Sequence, residues 1–175
     1  MTDEEPGEAA VDDGGPGDPV AVAREIALRL LTVRARSRSE LQTALARRKV
    51  PASAADEVLD RFSDVGLIDD AAFARAWVES GNRRMRGRRA LAQELGKKGV
   101  EPELIAEALA EREPDAELQV AREFAEKKAR TTAGLDYQTR FRRLSGALAR
   151  RGFSTDIVLR VVREVLREAP DEFTD

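Results

Sequence analysis

One segment of this chain occurs three times, and that repetition constrains the fold more than any bulk property. Leu45-Ala-Arg-Arg-Lys-Val50 returns as Leu95-Gly-Lys-Lys-Gly-Val100 and again as Leu148-Ala-Arg-Arg-Gly-Phe153, at intervals of 50 and 53 residues. In each copy a leucine lies four residues before the first (Leu41, Leu91, Leu144). Small or apolar residues then follow at helical spacing: Ala54, Ala55, Val58 and Leu59; Leu104, Ile105, Ala108 and Leu109; Ile157, Val158, Val161 and Val162. A repeat of this length marks a supersecondary unit that completes its core by stacking on its neighbours. The simplest reading is one three-helix unit used three times, with first helices carrying Ile26 to Leu31, Phe73 to Val78 and Val120 to Ala125.

Local signals agree with an all-α chain. Apolar residues recur every three or four positions from residue 20 onward, and no stretch alternates as a strand would. Ser37 with Glu40 makes a capping box, Asp69 and Asp70 precede a helical pattern, Pro102 and Pro114 suit first helical turns, and Ser154 can cap the last helix. Breaks are read at Gly66, the Gly81 to Gly87 stretch, Gly99, the Thr131 to Gly134 stretch, Gly152 and Pro170. The spacing predicts nine helices, near 21–34, 38–49, 52–64, 70–82, 88–98, 102–112, 115–130, 136–151 and 154–168. The expected organisation is an elongated tandem array of three helix-turn-helix-like repeats at 20–68, 69–113 and 114–169, between a disordered acidic tail at 1–19 and a disordered end at 170–175.

The repeated turn has its own chemistry. An amphipathic helix ends in a basic pair that complements the negative end of the helix dipole, and in two copies a glycine follows that takes the left-handed C-terminal conformation. The first copy has Lys49 there, and Pro51 is expected to lead the chain out of the helix instead. The pairs Arg47-Arg48, Lys97-Lys98 and Arg150-Arg151 therefore read either as helix ends or as a repeated contact along the array, and the sequence leaves both open.

Charge is segregated along the chain. The first 19 residues hold seven acids and no base, and three more acids follow residue 170. The remaining 23 acids face all 30 bases, a body at +7 inside a chain whose formal net charge is −3. The tail is expected to be disordered and to screen the basic body, since it cannot bury an apolar face. It lacks the apolar run of a signal peptide and no window suits a membrane span, so a cytoplasmic protein is expected. Without histidine or cysteine the commonest general base, thiolate sites and disulfides are excluded. Arginine supplies 25 of the 30 bases, and its planar fork of donors suits phosphate or carboxylate on a polyanion or an acidic protein surface.

The densest basic run is Arg83, Arg84, Arg86, Arg88, Arg89, Lys97 and Lys98, with Glu94 as the one acid between 83 and 98. Arg34, Arg36 and Arg38 in the first unit, and Lys127 and Lys128 with Arg130 in the third, stand at corresponding turns. Three basic strips in a row suit a long polymer better than a small ligand. These residues, with Arg150 and Arg151, are the candidate partner-binding or DNA-binding set. Asp69-Asp70 reads as a helix cap rather than a metal pair, Gly96-Lys97-Lys98-Gly99 lacks the pattern of a P-loop, and no nucleophile elbow occurs. No enzyme, metal or cofactor is expected. Phe73 with Trp77, and Tyr137 with Phe141 among Arg140, Arg142 and Arg143, read as core aromatics before base-stacking platforms.

Taken together, several of these segments resemble the RecX family of bacterial recombination regulators. They are Leu31 with Arg34-Ala-Arg-Ser-Arg-Ser-Glu-Leu41, Gly66-Leu-Ile-Asp-Asp-Ala-Ala-Phe-Ala74 with Trp77, Gly87 with Leu91 and Glu94 to Val100, Lys127-Lys128, and Leu148 to Phe153. The resemblance spans residues 23 to 168 and implies a non-enzymatic, monomeric array of three-helix repeats. It implies a protein that binds the RecA recombinase, as monomer or filament, lies in the groove of the RecA–DNA filament, and suppresses its ATPase, strand-exchange and co-protease activities. Single- or double-stranded DNA is a further implied partner. The residues alone reach only a basic helical repeat protein with a polyanionic or acidic-groove partner. The alternative is a helix-turn-helix DNA-binding protein, with a structural adaptor as a third reading. The acid-rich third helices, with Asp56, Glu57, Asp60 and Asp64 in one and Glu103, Glu107, Glu111 and Glu113 in or beside the other, argue against insertion into the major groove.

Overall fold

The computed structural model describes residues 17–168, and among them the secondary structure is entirely helical. Unit 1 comprises α1 (Pro19–Val33), α2 (Arg38–Arg47) and α3 (Ala52–Asp64); unit 2 comprises α4 (Asp70–Arg83), α5 (Arg88–Lys97) and α6 (Pro102–Ala110). Unit 3 comprises α7 (Pro114–Arg130), α8 (Tyr137–Arg150) and α9 (Thr155–Glu168). The all-helical, three-unit reading holds, and the proposed tail at 1–16 and the end after 168 lie outside the described residues. Residues 17–19 do not belong with a tail: Pro19 opens α1, and the Asp18 carboxylate accepts the Val20 N–H at 2.9 Å. A proline suits the first turn because its missing N–H would be unpaired there in any case.

Each unit has its own core. Leu41 and Leu45, Leu91 and Leu95, and Leu144 and Leu148 are fully buried on their second helices. They face Ala27, Ala74 and Ala121 on the first helices, also fully buried, which fixes the register between copies. Small residues on the first helix let the second approach closely. Third helices close each core, with Val58, Leu59 and Phe62 in unit 1, Ala108 in unit 2, and Val158, Val161, Val162 and Val165 in unit 3. Burying one such leucine or valine stabilises by about 1.5–3 kcal/mol, so the repeated apolar pattern alone accounts for each unit's cohesion.

The repeated turn is the same in all three copies. The Val50, Val100 and Phe153 N–H groups bond back to the Leu45, Leu95 and Leu148 carbonyls, while Lys49, Gly99 and Gly152 bond to Ala46, Gly96 and Ala149. This is the Schellman arrangement, and it requires the intervening residue to be left-handed. Gly99 (φ 72°) and Gly152 (φ 86°) satisfy that easily, and Lys49 adopts the same conformation at φ 61°. The expectation that Pro51 would replace the left-handed turn is therefore corrected: the turn is kept, and a lysine bears its cost. Gly81 is a second correction. It lies inside α4 rather than at a break, and a Cβ there would come within 2.6 Å of the Leu91 side chain, so it allows α5 to pack closely.

The units dock in a repeated way. The C-terminal turn of α5 sits on the N-terminus of α2, and that of α8 sits on the N-terminus of α5. Ser37 Oγ donates to the Lys98 carbonyl at 2.5 Å, and the Gly87 N–H donates to the Arg151 carbonyl at 2.8 Å. The carbonyl end of one second helix thus meets the N–H end of the preceding one, a favourable alignment of dipoles.

Candidate functional site

Docking consumes much of the charge that the sequence leaves unpaired. Arg84 and Arg86 both hold Glu94, at 2.9 and 2.6 Å, and Glu94 also accepts the Trp77 indole N–H at 2.9 Å. Partial burial would raise the Glu94 carboxyl, but these donors together hold it below the usual carboxylate range. Arg88 reaches into unit 3, where Glu117 accepts its backbone N–H at 2.8 Å and lies 3.9 Å from its Nε, while its Nη2 donates to the Leu109 carbonyl. Lys98 reaches into unit 1 and pairs with Glu40 at 2.9 Å. Of the densest run, Arg83, Arg89 and Lys97 remain exposed and outside any ion pair.

Unit 1 is also partly neutralised. Arg34 pairs with Glu40 at 3.1 Å, Arg38 with Asp60 at 2.7 Å, and Arg36 donates to the Leu30 carbonyl. Burial would raise the Glu40 carboxyl, but hydrogen bonds from Arg34, Lys98 and the Ser37 N–H lower it to about 2. Asp69 and Asp70 divide their labour. Asp69 caps α4 through the Ala72 N–H at 2.8 Å, and Asp70 accepts the Arg38 N–H of unit 1 at 2.9 Å. The paired bases at the repeated turns also resolve: their second members are ties between and within units. Lys98 lies over the Trp77 ring at 4.4 Å, and Arg151 lies over Phe124 at 4.8 Å while donating to the Arg84 carbonyl at 2.9 Å. Such contacts over an aromatic face contribute about 0.5–2 kcal/mol. Trp77, with Arg84 and Lys98 both over its ring, and Phe73, buried beside it, serve packing as expected.

The unpaired bases gather on unit 3. Lys128 from α7 and Arg142, Arg143 and Arg150 from α8 line one concavity of about 400 Å³, with Thr131, Thr132 and Gly146 and no acidic residue. All four are exposed and none enters an ion pair among the described residues. A second concavity of about 810 Å³ adjoins it at Gly146 and Arg150 and reaches Arg89 and Gln93 of unit 2 over a floor that includes Phe141 and Phe153. Lys127 is exposed beside this surface. Sequence reasoning passed over Arg142 and Arg143 as companions of core aromatics. The signal that marks them is the absence of any acid from Tyr137 to Thr155. Among the described residues no cluster of His, Cys, Asp or Glu could hold a metal ion, and no helix is long and apolar enough to cross a membrane.

Family models for the first, second and third three-helix domains of RecX match residues 23–62, 69–109 and 115–162 in turn. The chain belongs to the RecX family. It is 51% identical over 158 residues to the regulatory protein RecX of Streptomyces coelicolor, covering 90% of this chain and 84% of the relative. It is 44% identical over 161 residues to that of Thermobifida fusca, covering 88% and 87%. The crystal structure of RecX from Lactobacillus salivarius superposes with a TM-score of 0.79 at 22% identity, over 86% of this chain and 98% of that one, which shows the shared fold. The RecX relatives are regulatory proteins, so the non-enzymatic reading of this chain rests on kinship as well as on residue types.

Proposed function

We propose that this RecX-family chain acts by binding the RecA recombinase on its DNA filament and restraining the filament's ATPase, strand-exchange and co-protease activities. The observation that carries this reading is the extent of the kinship: 51% identity across 90% of the chain to a regulatory protein RecX. The charge distribution supplies the mode of contact. A filament groove offers protein carboxylates and DNA phosphates along a line, and the acid-free surface of unit 3, continued by Arg89 on unit 2, is complementary to both. Arg84, Arg86, Arg88, Lys98 and Arg151 stand behind that surface as structural ties, whereas Arg83, Arg89, Lys97, Lys127, Lys128 and Arg150 remain available. Arg34, Arg36 and Arg38 lie at the other end of the array as a secondary contact.

The test is a titration of single-strand-DNA-dependent ATP hydrolysis by RecA, with and without excess single-stranded DNA. Inhibition is expected well below one regulator per recombinase, and excess DNA should not abolish it. Inhibition that appears only once the regulator has titrated the DNA would overturn the reading in favour of a DNA-binding protein. Replacing Lys128, Arg142 and Arg143 together by alanine should raise the concentration for half-inhibition about tenfold or more, from the loss of several charge-assisted contacts. Its helicity and melting temperature should be unchanged, because the three side chains are exposed.

A further inference from the structure

The register fixed by Ala27, Ala74 and Ala121 makes the docking residues of the three units comparable position by position. Where unit 2 has Asp70 and unit 3 has Glu117, each accepting the first helical N–H of the preceding unit's second helix, unit 1 has Ala23. Where they have Trp77 and Phe124 beneath the basic side chain, unit 1 has Leu30. At the left-handed turn they have Gly99 and Gly152, and unit 1 has Lys49. Those glycines do more than permit a positive φ. A Cβ on Gly99 would fall 2.2 Å from Ser39 Oγ of unit 1, and one on Gly152 would fall 2.4 Å from the Ala90 backbone nitrogen and Cβ of unit 2. Lys49 is exposed and Arg48 folds back on the Ala44 carbonyl of its own helix.

We infer that unit 1 is the cap of the array: its free face lacks the acid, the aromatic and the glycine with which every later unit docks, so it cannot seat on a preceding unit or on a second copy of this chain. The far end is closed by different chemistry. The residue that receives an incoming turn is a donor in both junctions, the Ser37 hydroxyl or the Gly87 N–H. In unit 3 the corresponding N-cap is Asp136, whose carboxylate accepts the Thr139 N–H at 3.0 Å and is held ionised by that bond. An ionised carboxylate has no proton to donate and repels an incoming carbonyl. A head-to-tail contact of this kind, left open at both ends, would propagate into a fibre. The two closures keep the chain a monomeric ruler of three units.

Two lengthened full chains test this. One duplicates residues 69–113, giving units in the order 1-2-2-3; the other duplicates residues 20–68, giving 1-1-2-3. Matched helicity per residue establishes that both fold. The first is expected to resist limited proteolysis at every junction and to lengthen in small-angle scattering as one continuous array. The second is expected to be cut between its two copies of unit 1. Equal protection of both chains would overturn the inference, as would cleavage of both at the inserted junction. Sedimentation of the unaltered chain should give one mass at all concentrations; mass that grows with concentration and is increased further by Asp136→Ser would also overturn it.

Discussion

The junction between units 1 and 2 and the one between units 2 and 3 achieve the same docking with different chemistry. The first runs through side chains: the Ser37 hydroxyl on the Lys98 carbonyl, Asp70 on the Arg38 N–H, and Lys98 on Glu40. The second runs largely through backbone. Gly87 and Arg89 donate directly to the Arg151 and Gly152 carbonyls, and a Cβ on Gly87 would fall 2.4 Å from the Gly152 carbonyl and the Phe153 nitrogen. Its ionic part is buried, with Arg112 and Glu117 both almost fully covered and 3.8 Å apart. Burial pushes the Arg112 guanidinium down from its ordinary value, and Glu117 pulls it back. The difference teaches that one geometry is held by exchangeable, solvent-tunable contacts at one place and by steric exclusion and a buried charge at the other.

Breaking the second junction should have the largest effects. Glu117→Ala leaves the Arg112 guanidinium buried without its counter-charge and the Arg88 N–H without an acceptor, a loss of roughly 3–5 kcal/mol. Denaturant unfolding should register it, and hydrogen exchange should rise across α7 and the start of α5. Next comes Gly87→Ala, where backbone on the far side cannot yield; overpacking of this kind costs about 1–3 kcal/mol. Its signature is loss of protection at the Gly87 and Arg89 amides with the core of unit 2 intact. A Gly87→Ala chain that keeps those amides protected would show the backbone approach to be less confining than the geometry requires.

These same junctions mark where the sequence is legible and where it is not. Leu41, Leu91 and Leu144 announce the repeat, the helix ends and the three cores, because burial of one face imposes a period that composition cannot hide. The glycines announce left-handed turns. What spacing does not announce is that Gly99 and Gly152 are also contact surfaces, since the partners Ser39 and Ala90 lie some 60 residues away. Charge is misleading for the same reason. The run from Arg83 to Lys98 looks unopposed until Glu40 and Glu117 arrive from neighbouring units. Arg142 and Arg143 look incidental until their concavity proves free of acids.

The first junction should respond more gently. Lys98→Met keeps the aliphatic packing on Trp77 but removes the tie to Glu40, a partly exposed pair contributing about 1 kcal/mol or less. The change should weaken with added salt, which screens such pairs, while the second junction's response to Glu117→Ala should not. Equal salt sensitivity at both places would erase the distinction between them.

The smallest expected effect is one of acidity, and it belongs to the first junction. Glu40 is held at about 2 in the folded chain against an ordinary value of 4.5. Its ionised form is therefore favoured by folding: the stability it contributes is complete above the ordinary value and is lost as the pH falls from about 4.5 toward about 2. Trp77, the chain's one tryptophan, reports the event, because Lys98 bridges its ring and the Glu40 carboxylate. Its fluorescence should change across that window. Glu94, which accepts the indole N–H and is likewise lowered, will contribute its own transition. The Glu40→Gln chain separates the two, since the Glu40 component should vanish and the Glu94 component remain. A titration identical in both chains would mean that the Lys98–Glu40 tie does not couple unit 1 to unit 2.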